Sequence, residues 1–248
     1  MTGLWLVLAL SLLPGAGNFV GALLAEFTKP TPRMLNWALH AAAGIVIAVV
    51  SVELMPEALK TVSGFWAGLA FGCGGVAYVL IDRSLSRLMK GNAGNRVRTG
   101  MWMVYVAVAV DLTSDGLLIG SGSAVSPALA LALAAGQVLA DVPEGFATVA
   151  NFQNKDVPRR RRLLLATSFF AFVSGAAALS YFALRDAPTR LKMSALVFAA
   201  GLLTVAAVED MLEEAHDAHD DSQRSVLAFV GGFVLFTMVS AGLDSLSG

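Results

Sequence analysis

The chain has 248 residues, of which 56% are hydrophobic and only 14% charged, with a mean hydropathy of +0.71. A soluble domain usually carries about 25% charged residues, so this balance belongs to a membrane protein, and a net charge of −1 selects no partner. The single cysteine, Cys73, excludes an intramolecular disulfide and a cysteine-cluster zinc site; lying among glycines in an apolar run, it reads as a small buried packing residue.

The chain opens on MTGLWLVLALSLLPGAG, apolar but without a basic start and running directly into GALLAEF, which predicts a first membrane helix rather than a signal. A bilayer core about 30 Å thick takes around 20 apolar residues per helical span. That ruler predicts eight spans, near 3–27, 34–58, 62–81, 99–121, 127–152, 163–184, 191–213 and 225–244, with short connections and no room for a soluble domain. The expected fold class is all-α, a polytopic membrane protein forming one eight-helix transmembrane domain over 1–248. Loops on one side hold Lys29, Arg33, Arg83, Arg87, Lys90, Arg96, Arg98, Lys155, Arg159 to Arg162 and Arg224, thirteen basic residues against Lys60, Arg185, Arg190 and Lys192 on the other. Basic loops stay in the cytoplasm. Both termini are therefore expected outside a cytoplasmic (inner) membrane.

The second span ends AAGIVIAVVSVELMPEA and the seventh AAGLLTVAAVEDMLEEA. Aligned without gaps from Ala42 with Ala199 to Ala58 with Ala215, five of seventeen positions are identical, and Glu53 falls opposite Asp210. The two spans run in opposite directions, so this is an inverted repeat of the kind found in transporters that alternate access around a central site. Glu53 and Glu57 end the second span at the outer face, where they could gather cations. Glu209, Asp210, Glu213 and Glu214 end the seventh at the cytoplasmic face and run into HDAHDD, where His216 and His219 stand i, i+3. That cluster reads equally as a metal entrance or exit and as a solvated helix end. His40 reads as a polar helix-end residue, and KDVPRRRR as a topology signal that can also meet anionic lipid headgroups.

Small residues recur at membrane depth: Gly17 with Gly21, Gly116 with Gly120, and GCGG at 72–75. Such spacing permits close helix approach. In the fourth span the run MWMVYVAVAV is interrupted by DLTSDGLLIG. A carboxylate at the centre of a membrane helix costs about 2.5–3.5 kcal/mol. Asp111 and Asp115, i and i+4, share one helix face, and the fifth span answers with ADVPEG, where Asp141 and Glu144 stand i, i+3. No Lys, Arg or His occurs in either span to neutralise them. The counter-charge must be protons or a divalent cation. Pro143 removes a backbone donor and leaves the carbonyl of Leu139 without its usual partner, which is tolerated at membrane depth only where it lines a polar cavity or binds something. Thr113, Ser114 and Gln137 could add neutral oxygens.

DLTSDGLLIG followed by LADVPEGFA resembles the paired fourth- and fifth-helix motifs of the ZIP (Zrt/Irt-like protein) family of divalent metal transporters, which read HNxxDG or HNxxEG, then H-E-x-P-E-G or Q-D-x-P-E-G. VELMPEA resembles that family's H-x-x-P-E-A element. The resemblance implies a ZIP-like inverted-repeat bundle, an elevator in which spans one, four, five and six move against two, three, seven and eight, and often a homodimer. It implies a metal site of Asp111, Asp115 and Glu144 with Asp141 near, and places Met55 where some members bring a thioether to the metal. Departures are as informative. Asp111 stands in place of a metal-binding His, Leu112 in place of Asn, and Ala140 in place of His or Gln. In SGAAALS, Ala178 and Leu179 replace the Glu and Pro of the family's sixth-helix S-G-x-x-E-P, so one metal is expected rather than two.

The sequence thus points to a transporter of zinc, manganese or iron, with the metal as substrate, no cofactor, no enzymatic activity and no nucleic-acid partner. An all-oxygen shell shifts the expectation toward manganese or ferrous iron without excluding zinc. A ZIP-like protein without transport, acting as sensor or assembly partner, is the competing reading. An intramembrane hydrolase is disfavoured, because no HExxH pattern is present.

Overall fold

The structure is a computed structural model, and it describes residues 2–28, 30–90, 96–212 and 223–247. All regular structure among them is helical. The elements are α1 (Thr2–Phe27), α2 (Pro32–Ala48) continued by a π-helical segment (Val49–Leu54) and the short α3 (Met55–Leu59), α4 (Gly64–Lys90), α5 (Arg96–Val125), α6 (Pro127–Asn154), α7 (Arg159–Leu184), α8 (Thr189–Ala206) continued by a second π-helical segment (Ala207–Met211), and α9 (Gln223–Ser247). Eight stretches are long and apolar enough to cross a membrane, and their bounds lie within a few residues of those expected. The protein is a multi-pass, all-α membrane protein.

Proline sets several helix starts. Thr31 and Ser126 each stand before a proline at the first helical turn, and their hydroxyl oxygens accept from the backbone N–H of Met34 (3.3 Å) and Leu129 (3.1 Å). Pro158 and Pro188 take the capping position of α7 and α8. Because Pro158 starts α7 early, the run Arg159–Arg162 forms its first turn instead of a loop. Asp156 closes α6 with a left-handed backbone, φ 54°. Val157 N–H donates to Phe152 (3.0 Å) and Asp156 N–H to Gln153 (2.9 Å), while Val157 packs on Phe152. That pattern of bonds and contact terminates a helix by satisfying its last carbonyls.

Four helix pairs cross so closely that side chains are excluded. A methyl group on Gly21 of α1 would overlap the carbonyl oxygen of Val142 on α6, and one on Gly145 that of Asn18. Gly44 of α2 and Gly232 of α9 meet in the same reciprocal way through Phe229 and Ala41, as do Gly74 of α4 and Gly201 of α8 through Phe198 and Phe71. Gly116 and Gly120 of α5 lie on Val173 and Ala177 of α7. Small residues let backbones approach to dispersion and Cα–H···O distance, which lipid cannot match.

These crossings reveal more of the repeat than the sequence did. LAFGCGGVAYVL of α4 aligns without gaps on LAFVGGFVLFTM of α9, five of twelve positions identical, with Gly74 on Gly232. The repeat thus relates the α2·α9 pair to the α8·α4 pair, exchanging Gly44 with Gly201. Both π-helical segments fall at matching positions in it. In the first, Pro56 has no N–H to offer the carbonyl of Val52, and the wider turn before it absorbs the defect.

The remaining helices form a central group in which α1 and α5 each pack on α6 and α7. The α2·α9 pair lies against it through α2 on α6, and the α4·α8 pair through α8 on α5. Apolar side chains such as Trp66, Val76, Leu80, Leu227, Val234 and Met238 cover the outer faces of α4 and α9. Cys73 corrects an expectation: it is exposed on α4, turned away from the contact that Gly74 makes. In a membrane protein an apolar neighbourhood does not mark the protein interior, since lipid accepts the same surface.

Candidate functional site

The centre of the molecule is where α5 passes α6. The i, i+4 and i, i+3 spacings turn Asp111, Asp115, Asp141 and Glu144 toward each other, and all four are buried. Asp111, Asp141 and Glu144 each bring a carboxylate oxygen to a common point, within 4.8 Å of one another. Asp115 is held by Gln137, whose side-chain amide donates to Asp115 Oδ1. Asp115 Oδ2, Asp141 Oδ2 and Glu144 Oε2 have no hydrogen-bond partner. Buried acceptors are rarely left so, and three carboxylates at this spacing offer the all-oxygen shell of a hard divalent cation.

The neighbouring polar groups are spent locally. Thr113 Oγ1 donates to the Ala109 carbonyl (2.6 Å) and Ser114 Oγ to that of Val110 (3.0 Å). Thr148 Oγ1 donates to the Glu144 carbonyl (2.9 Å). Helix α6 continues unbroken through Pro143.

A cleft reaches Asp111 and Glu144, lined by Leu39, Val104, Ala107, Val108, Ala147, Thr148, Ala206 and Met211. Every helix contributes its portion nearest the end of the bundle rich in Arg and Lys: Leu39 near the start of α2, Val104 before Asp111, Thr148 after Glu144, Met211 at the close of the seventh span. On the other side of the carboxylates, Val49, Leu118 and Leu133 are fully buried in the largest hydrophobic cluster. Among the described residues the cleft reaches the site from the basic end, while apolar side chains are packed on its other side.

Met55 is half-buried against that same cluster, and the thioether beside the cleft is that of Met211. Glu53 accepts from Ser240 Oγ (2.7 Å), and Glu57 pairs with Lys60 (2.5 Å). His40 is buried, with Nδ1 2.9 Å from the Asn36 carbonyl oxygen. Glu209 is exposed, and Asp210 lies in the second π-helical segment. Glu213, Glu214, His216 and His219 fall outside the described residues. Leu112 packs into an apolar cluster with Phe169 and Val173 of α7. Two features went unread in the sequence. Asn18 on α1 is fully buried with neither amide atom hydrogen-bonded; its only signal was a lone Asn in an apolar helix. Glu26, also buried, takes Arg162 in a two-pronged ion pair (2.5 and 2.7 Å) that ties α1 to α7.

No family model matches the chain. It is 36% identical over 107 residues to the zinc transporter ZupT of Enterobacter sp. (strain 638), covering 38% of this chain and 41% of that protein. The proteins of the same name from Salmonella paratyphi A and Escherichia fergusonii are each 40% identical over 82 residues, 32% of either length. The chain thus spans 32–41% of the length of the curated relatives it matches. Those relatives are named as transporters, for which the metal is substrate rather than cofactor. Over about a third of its length, this chain is homologous to ZIP-family zinc transporters named ZupT.

Proposed function

We propose that the protein carries one divalent metal ion at a time, zinc, manganese or ferrous iron, across the cytoplasmic membrane by alternating access. The observation that carries this reading is the meeting of Asp111, Asp141 and Glu144 within 4.8 Å, buried on two helices whose membrane portions contain no Lys, Arg or His. Zinc is the ion named for the relatives; the oxygen-only donor set favours manganese and ferrous iron.

The residues divide the work. Asp111, Asp141 and Glu144 bind the ion, Asp115 stands behind them, and Gln137 fixes Asp115 so that it does not compete for the same point. Leu112, in its apolar cluster, and Ala178 on α7 offer no donor atoms to a second ion beside the first. The cleft supports a state open to the basic, cytoplasmic end, with both termini outside. Transport then requires α1, α5, α6 and α7 to shift against the α2·α9 and α4·α8 pairs, closing the cleft and opening a path past Val49, Leu118 and Leu133. Met55, Glu53 and Glu57 line the outer approach; Met211, Glu209, Asp210, Glu214, His216 and His219 belong to the cytoplasmic one. Lipid covers the apolar faces of α4 and α9, and the homodimer implied by the family likeness would use one of them.

Uptake of radiolabelled manganese, iron and zinc into proteoliposomes tests this. Wild-type protein should take up at least one ion, and Glu144→Ala or Asp111→Ala should abolish uptake. Tight binding without flux would sink the transport reading and leave a metal-binding protein.

A further inference from the structure

Asn18 is the one fully buried side-chain amide of the described residues for which neither the oxygen nor the nitrogen is hydrogen-bonded. Such a group destabilises a folded chain unless something completes it. Its position says what could. Gly17 and Gly21 of α1 face α6, while Ser11, bonded to Ser174 (3.1 Å), and Gly15, against Phe170, face α7. At 3.6 residues per turn these two faces are roughly 120° apart, and Asn18 falls in the arc between them. That arc looks into the middle of the four-helix group, where α1 also packs on α5. The level is fixed by the crossing of α1 and α6. A methyl group on Gly17 would lie 3.3 Å from Asp141 Cβ, and one on Gly145 would overlap the Asn18 carbonyl. Asn18 therefore stands level with Asp141, whose own Oδ2 is unpartnered.

We infer that Asn18 supplies a neutral ligand oxygen, from a third helix, to the ion held by Asp111, Asp141 and Glu144. The inference rests on the metal site proposed above and adds a donor to it. Three carboxylates leave a hard cation short of the six or more oxygens it takes. An amide oxygen adds coordination without adding repulsion among the carboxylates. It also makes α1 part of the binding site, so that loading the ion pulls α1, α5 and α6 together. The amide N–H₂ is left to donate to a neighbouring carboxylate oxygen once the ion is seated.

The test compares purified wild type, Asn18→Leu, Asn18→Asp and Glu144→Ala by Mn²⁺ and Zn²⁺ titration and by thermal melting with and without metal. Asn18→Leu loses no hydrogen bond, so without metal it should melt at or above the wild-type Tm. It should nevertheless bind Mn²⁺ about tenfold or more weakly and gain less Tm on metal addition. Asn18→Asp keeps an oxygen in place and should bind at least as tightly as wild type. Equal affinity in wild type and Asn18→Leu, with Glu144→Ala defective, would overturn the role of Asn18 and leave the carboxylate site standing. A lower metal-free Tm for Asn18→Leu would overturn it in favour of a packing role, and if that variant does not fold, weaker binding by Asn18→Asp does the same. Absence of binding by wild type would remove the metal site and this inference with it.

Discussion

Asp115 and Asp141 are both aspartates buried in the same place, yet they are set apart by one neighbour. Gln137 donates to Asp115 Oδ1, while Asp141 brings an oxygen within 4.8 Å of Asp111 and Glu144; each aspartate keeps a second oxygen without a hydrogen-bond partner. Gln137→Leu should therefore weaken the fold by about 1–3 kcal/mol, the cost of an unsatisfied buried acceptor, measurable as a lower melting temperature, and should reduce uptake less than Glu144→Ala. Asp111→His brings in an imidazole, which suits zinc better than manganese; the zinc-to-manganese uptake ratio should rise, and an unchanged ratio would argue against Asp111 as a ligand. Carboxylates bind metal only when deprotonated, so protons compete for the same oxygens, and uptake should fall as the medium on the loading side is acidified. The four carboxylates were legible because acidic residues in apolar helices are costly and conspicuous. Which three of them meet within 4.8 Å was not, since Asp115 is instead held by Gln137 from α6, a contact between residues 22 apart in sequence.

At the scale of elements, the glycine crossings and the helix ends make separate demands. Gly145→Ala would drive a methyl group into the Asn18 carbonyl, with no flexible side chain to give way. It should destabilise the protein more than Gly175→Ala, which meets open space on α7; comparative thermal melting in detergent checks the order. Glu26 and Arg162 are similarly placed, both largely buried, at 3% and 14% side-chain exposure. Glu26→Ala leaves a guanidinium without its carboxylate and should cost about 3–5 kcal/mol, whereas replacing both partners with leucine should recover much of it. Spans were legible because length and hydropathy suffice. The start of α7 was misjudged because four arginines read as loop, although Pro158 before them initiates a helix. One of those arginines turns inward to Glu26, a pairing that no local pattern announces.

For the whole molecule, the inverted repeat was half visible: the match of α2 with α8 was read from sequence, while that of α4 with α9, no weaker in identical residues, was found only once their touching glycines pointed to it. The cleft has no sequence signature, because its lining comes from four separate helices. A cysteine at Val104, in a Cys73→Ala background, lies on the cleft wall. It should react with a membrane-impermeant thiol reagent applied from the cytoplasmic face, and its labelling should slow when added metal shifts the population. Labelling from the opposite face alone would reverse the assigned orientation.

Where the glycine pairs fall has a further consequence. Within each helix pair the peptide chains touch directly, but α6 at Gly136 meets the side chains of Val49, just past the end of α2, and Phe236 of α9, and α5 meets α8 through Leu117 and Leu202. Interlocked backbones have a single snug registration; methyl and phenyl surfaces have several of nearly equal energy. If the proposed transport cycle shifts the helix groups along these apolar seams, substitutions there should change the rate of metal uptake before they change whether the protein folds.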